Sequence, residues 1–167
     1  MKHLIYTFIL ALLFINCNTL ADKNVEIMDT IPKVTGIGGI FFESDNPSLM
    51  REWYGENLGL AIDDYGSPFE FRNANNPNEI NYLRWSVMDT GSDYFLPSKK
   101  GFMINYRVQH IEALVKKLKE NGVTILDEIE SYDYGKFVHI LDPESNKIEL
   151  WEPVDSILTK MGGKTTK

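Results

Sequence analysis

Phe137-Val-His-Ile-Leu-Asp-Pro-Glu-Ser-Asn-Lys-Ile-Glu-Leu-Trp-Glu-Pro153 is the stretch whose reading decides the fold. Phe137–Leu141 and Ile148–Trp151 are short apolar runs of strand type. Between them Asp142-Pro143-Glu144-Ser145-Asn146 holds the residues that make tight turns. The segment therefore predicts a β-hairpin. Side chains alternate along a strand. With Ile148 and Leu150 turned toward helices, Lys147, Glu149 and Trp151 turn toward the opposite, concave side. If the turn centres on Glu144, His139 shares that face with Glu149.

Working outward, one pattern occurs twice. Ile37–Glu43 reads as an apolar strand, and Asn46-Pro47 opens a helix, Asn as cap and Pro in the first turn. Leu49, Met50, Trp53, Tyr54 and Leu58 recur at helical spacing, and Gly59 ends the run. The second copy starts at Phe102. Phe102, Ile104, Tyr106 and Val108 alternate with Met103, Asn105 and Arg107, a period of two. A helix follows, with Ile111, Leu114, Val115 and Leu118 on one face and Lys116, Lys117, Lys119 and Glu120 on the other. Asn121-Gly122 ends it, and His110 at its start is a surface residue or cap. Strands return after each helix, near Ala61–Tyr65, Phe69–Arg72, Leu83–Met88 and Tyr94–Leu96 in the first half. In the second they lie near Thr124–Ile129, Phe137–Leu141 and Ile148–Trp151. The fold class is α+β: two βαβββ modules, about 36–97 and 102–153, within a domain spanning 34–155. They form a curved mixed sheet around a concave cavity, helices outside.

The ends read differently. Lys2 and His3 precede an apolar run, Leu4–Ile15, too short for a spanning helix of roughly 20 residues. That is the pattern of a secretory signal, with Thr19-Leu20-Ala21 as the cleavage site and residues 1–21 removed. Cys17 after Phe14-Ile15-Asn16 offers a second reading, a lipoprotein box with a lipid anchor on the cysteine. Either way the chain is exported, to the periplasm or cell envelope. Residues 22–33 are a spacer, and 156–167 a tail rich in Gly, Thr and Lys, expected to be disordered. Cys17 is the only cysteine, so no intrachain disulfide forms. Cleavage after Ala21 removes one lysine and no acid, taking the formal net charge from −7 to −8. That balance argues against nucleic acid and anionic lipid surfaces as partners.

The segments Gly36-Ile-Gly-Gly-Ile-Phe-Phe42, Trp53-Tyr-Gly-Glu-Asn-Leu-Gly-Leu60 and Phe137–Pro153 resemble the vicinal oxygen chelate superfamily. It comprises glyoxalases, ring-cleaving dioxygenases and bleomycin-resistance proteins. The resemblance implies a divalent metal inside the concave sheet, held by His, Glu or Gln from the first and last strands of each half. It also makes a homodimer plausible. Glu149 stands at the last ligand position, as metal ligand or catalytic base. The others fall on Gly39, on Met103 and near Trp85-Ser86, so the standard set is incomplete. A rearranged set would use Glu149, His139 and Glu43. Alternatively, Glu149 is structural and pairs with Arg107.

By alternation Gly39, Phe41 and Glu43 share a face with Met103, Asn105, Arg107, Glu149 and Trp151, and Trp85 joins them. Phe41, Trp85, Met103, Asn105, Arg107 and Trp151 are the candidate ligand-binding residues, with a small molecule as partner. A filled core is the competing reading. Tyr132-Asp133-Tyr134 is a lid or an edge-strand turn. No nucleophile motif occurs, and Gly36-Ile-Gly-Gly39 is no phosphate loop because neither Lys-Ser/Thr nor a helix follows. Three functions remain open: a glyoxalase-like lyase, isomerase or oxygenase; a non-catalytic, sequestering binder; and an interaction module with a filled cavity.

Overall fold

The centre of the fold is an antiparallel pair, β1 (Lys33–Ser44) against β4 (Phe102–Gln109). The computed structural model describes residues 29–167. The expected signal, Cys17 and the spacer up to residue 28 lie outside the described residues. After β1 come α1 (Pro47–Leu58), β2 (Gly66–Arg72), β3 (Ile80–Asp89) and a 3-10 turn at Asp93–Phe95. After β4 come α2 (Ile111–Glu120), β5 (Glu130–Tyr132), β6 (Gly135–Leu141), β7 (Lys147–Pro153) and α3 (Asp155–Met161). The seven strands form one mixed sheet in the order β2-β3-β1-β4-β7-β6-β5. The two halves meet at β1–β4, and each inner strand pairs in parallel with the last strand of its own half.

The first half departs from the expected count. Ala61–Tyr65 contributes only a single bridge, Asp63 to Gly66, and Tyr94 lies in the 3-10 turn rather than a strand. Thr124–Ile129 likewise reduces to one bridge, Ile125 to Ile140, with the strand shifted to β5.

Local chemistry sets the helix ends. The Asn46 side chain accepts from the Leu49 amide at 3.0 Å, Pro47 takes the first turn, and Gly59 closes α1 in the left-handed region at φ 72°. Its apolar residues are only partly used. Tyr54 packs on Trp85 at 4.6 Å between ring centroids, whereas Leu49, Trp53 and Leu58 stay exposed. α2 buries Ile111, Leu114 and Val115 against Val108, Val138, Ile140 and Leu150, and this is the main core. His110 makes no side-chain cap. Instead the Glu152 carboxylate of β7 accepts from the His110 amide at 2.6 Å, pinning the helix start to the last strand.

The tail is the largest correction. Residues 155–161 form α3, and Thr166 bonds along β2, donating its amide to the Pro68 carbonyl at 2.8 Å. The Thr166 hydroxyl also accepts from the Ala61 amide at 2.8 Å. Arg107, 4% exposed, explains this placement. It pairs with Asp155 and donates to the Tyr82 carbonyl at 3.0 Å, with its guanidinium 5.3 Å from the Trp151 ring centroid. It does not pair with Glu149. A buried guanidinium needs a counter-charge, and the start of α3 supplies it.

Asp155→Ala should therefore cost about 3–5 kcal/mol in urea unfolding, since it strands a buried cation. Replacing both partners with apolar residues of similar volume should recover most of that loss. A cost under about 1 kcal/mol for the single variant would show that the pair does not hold α3.

Candidate functional site

The hairpin places the central carboxylate. Asp142 Oδ1 accepts from the Glu144 and Asn146 amides, each at 2.9 Å, and the resulting register sets His139 opposite Glu149. The turn does centre on Glu144. Across β4, Asn105 is also abreast of Glu149, and Arg107 is abreast of Trp151.

Glu149 is 2% exposed. Its two oxygens accept from Tyr94 Oη at 2.8 and 3.1 Å. His139 Nε2 lies 4.0 Å from Glu149 Oε1, while His139 Nδ1 is 2.6 Å from Asp127 Oδ2. Lys147 donates to the Tyr94 carbonyl at 2.7 Å. Burial pushes the Glu149 carboxyl above its ordinary value; the Tyr94 hydroxyl, His139, Asn105 and Lys147 oppose that shift. Burial, then the Glu149 charge, also pushes the Tyr94 hydroxyl well up, so it stays a proton donor. Burial pulls the Lys147 amine down, against the attraction of Asp127 and Glu149.

A pocket of about 850 Å³ opens over this carboxylate. Phe41, Tyr94, Tyr134, Phe137 and Trp151 supply rings to its wall, with Gly38, Arg84, Ser86 and Met88 from β1 and β3. Phe137 and Trp151 stack at 5.8 Å with planes 8° apart. Of the candidate ligand-binding residues, Phe41 and Trp151 line this pocket. The other four do not. The β1–β3 register puts Ser86 abreast of Phe41 and turns Trp85 to the helix side, against Phe42 and Tyr54. Met103 is wholly buried in a cluster with Phe41 and Phe95. Asn105 lies beneath Gly38, and Arg107 is committed to Asp155. Tyr132-Asp133-Tyr134 is an edge-strand turn, with Tyr134 reaching the pocket. Tyr94 escaped the sequence reading because nothing local marks a ring in a 3-10 turn as the partner of a carboxylate 55 residues later.

The residues do not fit the superfamily's metal. Gly39 offers no donor, and an added Cβ would meet the Phe41 ring at 2.6 Å, so a side chain there would have to displace that ring. Met103 is core, and Ser86 supplies only a hydroxyl. Glu43 bonds the Gly91 amide at 3.2 Å, away from Glu149. Among the described residues no three His, Cys, Asp or Glu side chains are grouped to hold an ion. Glu149 and His139 alone fall short of the three protein ligands usual at a catalytic zinc.

No family model matches the sequence, and no curated protein matches it. Solved structures do match the fold. A methylmalonyl-CoA epimerase from Mycobacterium tuberculosis is 19% identical at a TM-score of 0.50, covering 75% of this chain and 93% of its own. A Streptomyces coelicolor methylmalonyl-CoA epimerase variant in complex with 2-nitronate-propionyl-CoA is 12% identical at 0.55, covering 73% of this chain and 99% of its own. The Mn(II)-bound glyoxalase from Novosphingobium aromaticivorans is 13% identical at 0.52, with 82% of this chain on 43% of that one. The fold is thus that of the vicinal oxygen chelate superfamily. Fold alone does not carry activity.

Two outcomes follow from the buried carboxylate. A carboxyl raised on folding holds its proton more tightly in the native state. Its contribution is therefore full below the unfolded value, about 4.5, and is lost as pH rises through the raised one. Glu149→Gln should remove that decline, gaining on the native chain as pH rises from about 4.5 toward neutral in chemical unfolding. Parallel curves would contradict it. Tyr94→Phe should cost about 1.5–3 kcal/mol at neutral pH, the range for a hydrogen bond to a charged group, and less in acid. An equal cost at both pH values would separate Tyr94 from the charge on Glu149.

Proposed function

We propose that the chain is a small-molecule-binding protein that uses the superfamily's concave sheet as a pocket wall without the superfamily's metal. One observation carries this reading. The Phe41 ring fills the space over Gly39 where a first ligand would stand, leaving Glu149 at the base of a pocket lined with aromatic side chains. A volume of about 850 Å³ suits a drug-sized ligand. The polar groups are few and convergent, as such sites require. Among the described residues Trp151, which lines the pocket, has a buried indole nitrogen without a hydrogen-bond partner. On the residues of the signal-like start, we place this binder outside the cytoplasm.

A second reading, lyase or isomerase chemistry with Glu149 as base, draws on its raised proton affinity and on the Asp127–His139 pair behind it. Turnover of any substrate that survives Glu149→Gln unchanged would eliminate it.

The binding reading is tested by thermal-shift screening of the purified protein against aromatic and apolar small molecules. A ligand at a hundred times its Kd adds about 2.7 kcal/mol and should raise Tm by several degrees. The same ligands should quench tryptophan fluorescence and bind roughly tenfold more weakly to Tyr134→Ala, a variant at a partly exposed wall ring. No shift across a broad library would overturn the reading.

A further inference from the structure

The charges around the pocket are unbalanced. Its wall carries three carboxylates, Asp64, Asp89 and Glu149, and two cations, Arg51 and Arg84. Arg84 is already neutralised by a bidentate pair with Asp63. Arg51 donates to the Ser48 hydroxyl at 3.2 Å, on α1. Lys147, a buried cation two residues before Glu149, does not line the pocket and spends its ammonium on the Tyr94 carbonyl. Among the described residues no side-chain ammonium or guanidinium is bonded to Glu149, which faces the Tyr94 hydroxyl and, at 4.0 Å, His139 Nε2, although its carboxylate is among the most buried polar groups.

The rings complete the argument. Phe41, Tyr94, Tyr134, Phe137 and Trp151 stand on the same wall as this carboxylate. Aromatic faces carry negative potential and attract cations, most strongly where water is excluded. A buried carboxylate facing such rings repels an anion, gains little from a neutral ligand and is best satisfied by a positive one. The protein uses the same physics within its own fold. Arg107 lies 5.3 and 5.8 Å from the Trp151 and Phe71 ring centroids, and Lys147 lies 5.2 Å from that of Tyr94.

We propose that the pocket selects a compact organic cation, an amine or quaternary ammonium on an aromatic or apolar body, with its nitrogen against Glu149 and its body among the rings. This rests on the binding reading above and adds the charge of the ligand to it. Arg51 at the wall attracts carboxylates less than the three acids repel them, so the order of preference is cation, neutral, anion.

The test uses three probes of nearly one size: 1-naphthylmethylamine, 1-naphthalenemethanol and 1-naphthoate. Each is titrated calorimetrically into the purified native protein at neutral pH. The amine should bind at least about tenfold more tightly than the alcohol, and the acid most weakly. Glu149→Gln, close in shape, should cut the preference for amine over alcohol to less than about threefold. Alcohol and amine binding equally to the native protein would overturn the cation proposal and leave the pocket reading standing. No binding of any probe would overturn both. The comparison on the native protein decides the question even if the variant folds poorly.

Discussion

The close approach allowed by Gly38 and Gly39 at the middle of β1 is the constraint on which the rest of the site depends. A Cβ on Gly38 would lie 2.1 Å from Asn105 Oδ1 and 2.8 Å from the Trp151 ring. One on Gly39 would strike Phe41. Without side chains there, Asn105 and Trp151 press against the strand and Phe41 folds back over it. The same two residues that close the sheet centre thus remove a ligand position and replace it with an aromatic wall. Met103 and Phe95 then pack beneath Phe41, and the neighbouring Tyr94 brings its hydroxyl to Glu149. Fold and chemistry are linked at this point: a donor at position 39 would demand a different place for Phe41 and hence a different pocket.

Glu149 is the residue that benefits and suffers from this packing. Burial raises its proton affinity, and a phenol, an amide and an imidazole offset part of the cost. These partners come from the 3-10 turn, β4 and β6, so the carboxylate also ties together both halves of the chain. An apolar residue would fill the same space at lower cost, which is why the proposed reading gives this carboxylate a part in ligand recognition. α3 plays a different part. Through Asp155 it neutralises Arg107 and takes that cation out of the competition for Glu149.

Much of this was legible before any coordinates. The period of two over 102–108 set the inward face of β4, and the turn centred on Glu144 aligned His139 with Glu149. Asn46, Pro47 and Gly59 marked α1 because capping chemistry is local. What was illegible was non-local. Trp85 lies on the opposite face from the expected one because Asn73-Ala-Asn-Asn-Pro-Asn-Glu79, a loop before β3, hides the strand's register, and a one-residue slip flips every side chain. The alternative pairing of Glu149 with Arg107 fails because Arg107 has a partner, Asp155 at the last residue of the expected domain, that strand alternation does not reveal. Tyr94 carried no signal at all. Glycine at 39 was visible, but only the position of Phe41 shows that the space beside it is filled.

The central claim is that aromatic packing occupies this sheet centre, where the family resemblance would put a metal. Its most direct test is calorimetric titration of chelator-stripped protein with Ni²⁺, Zn²⁺ and Mn²⁺. The account predicts no stoichiometric binding below millimolar concentrations for any of the three. One equivalent bound at micromolar affinity, and lost in Glu149→Gln, would contradict it.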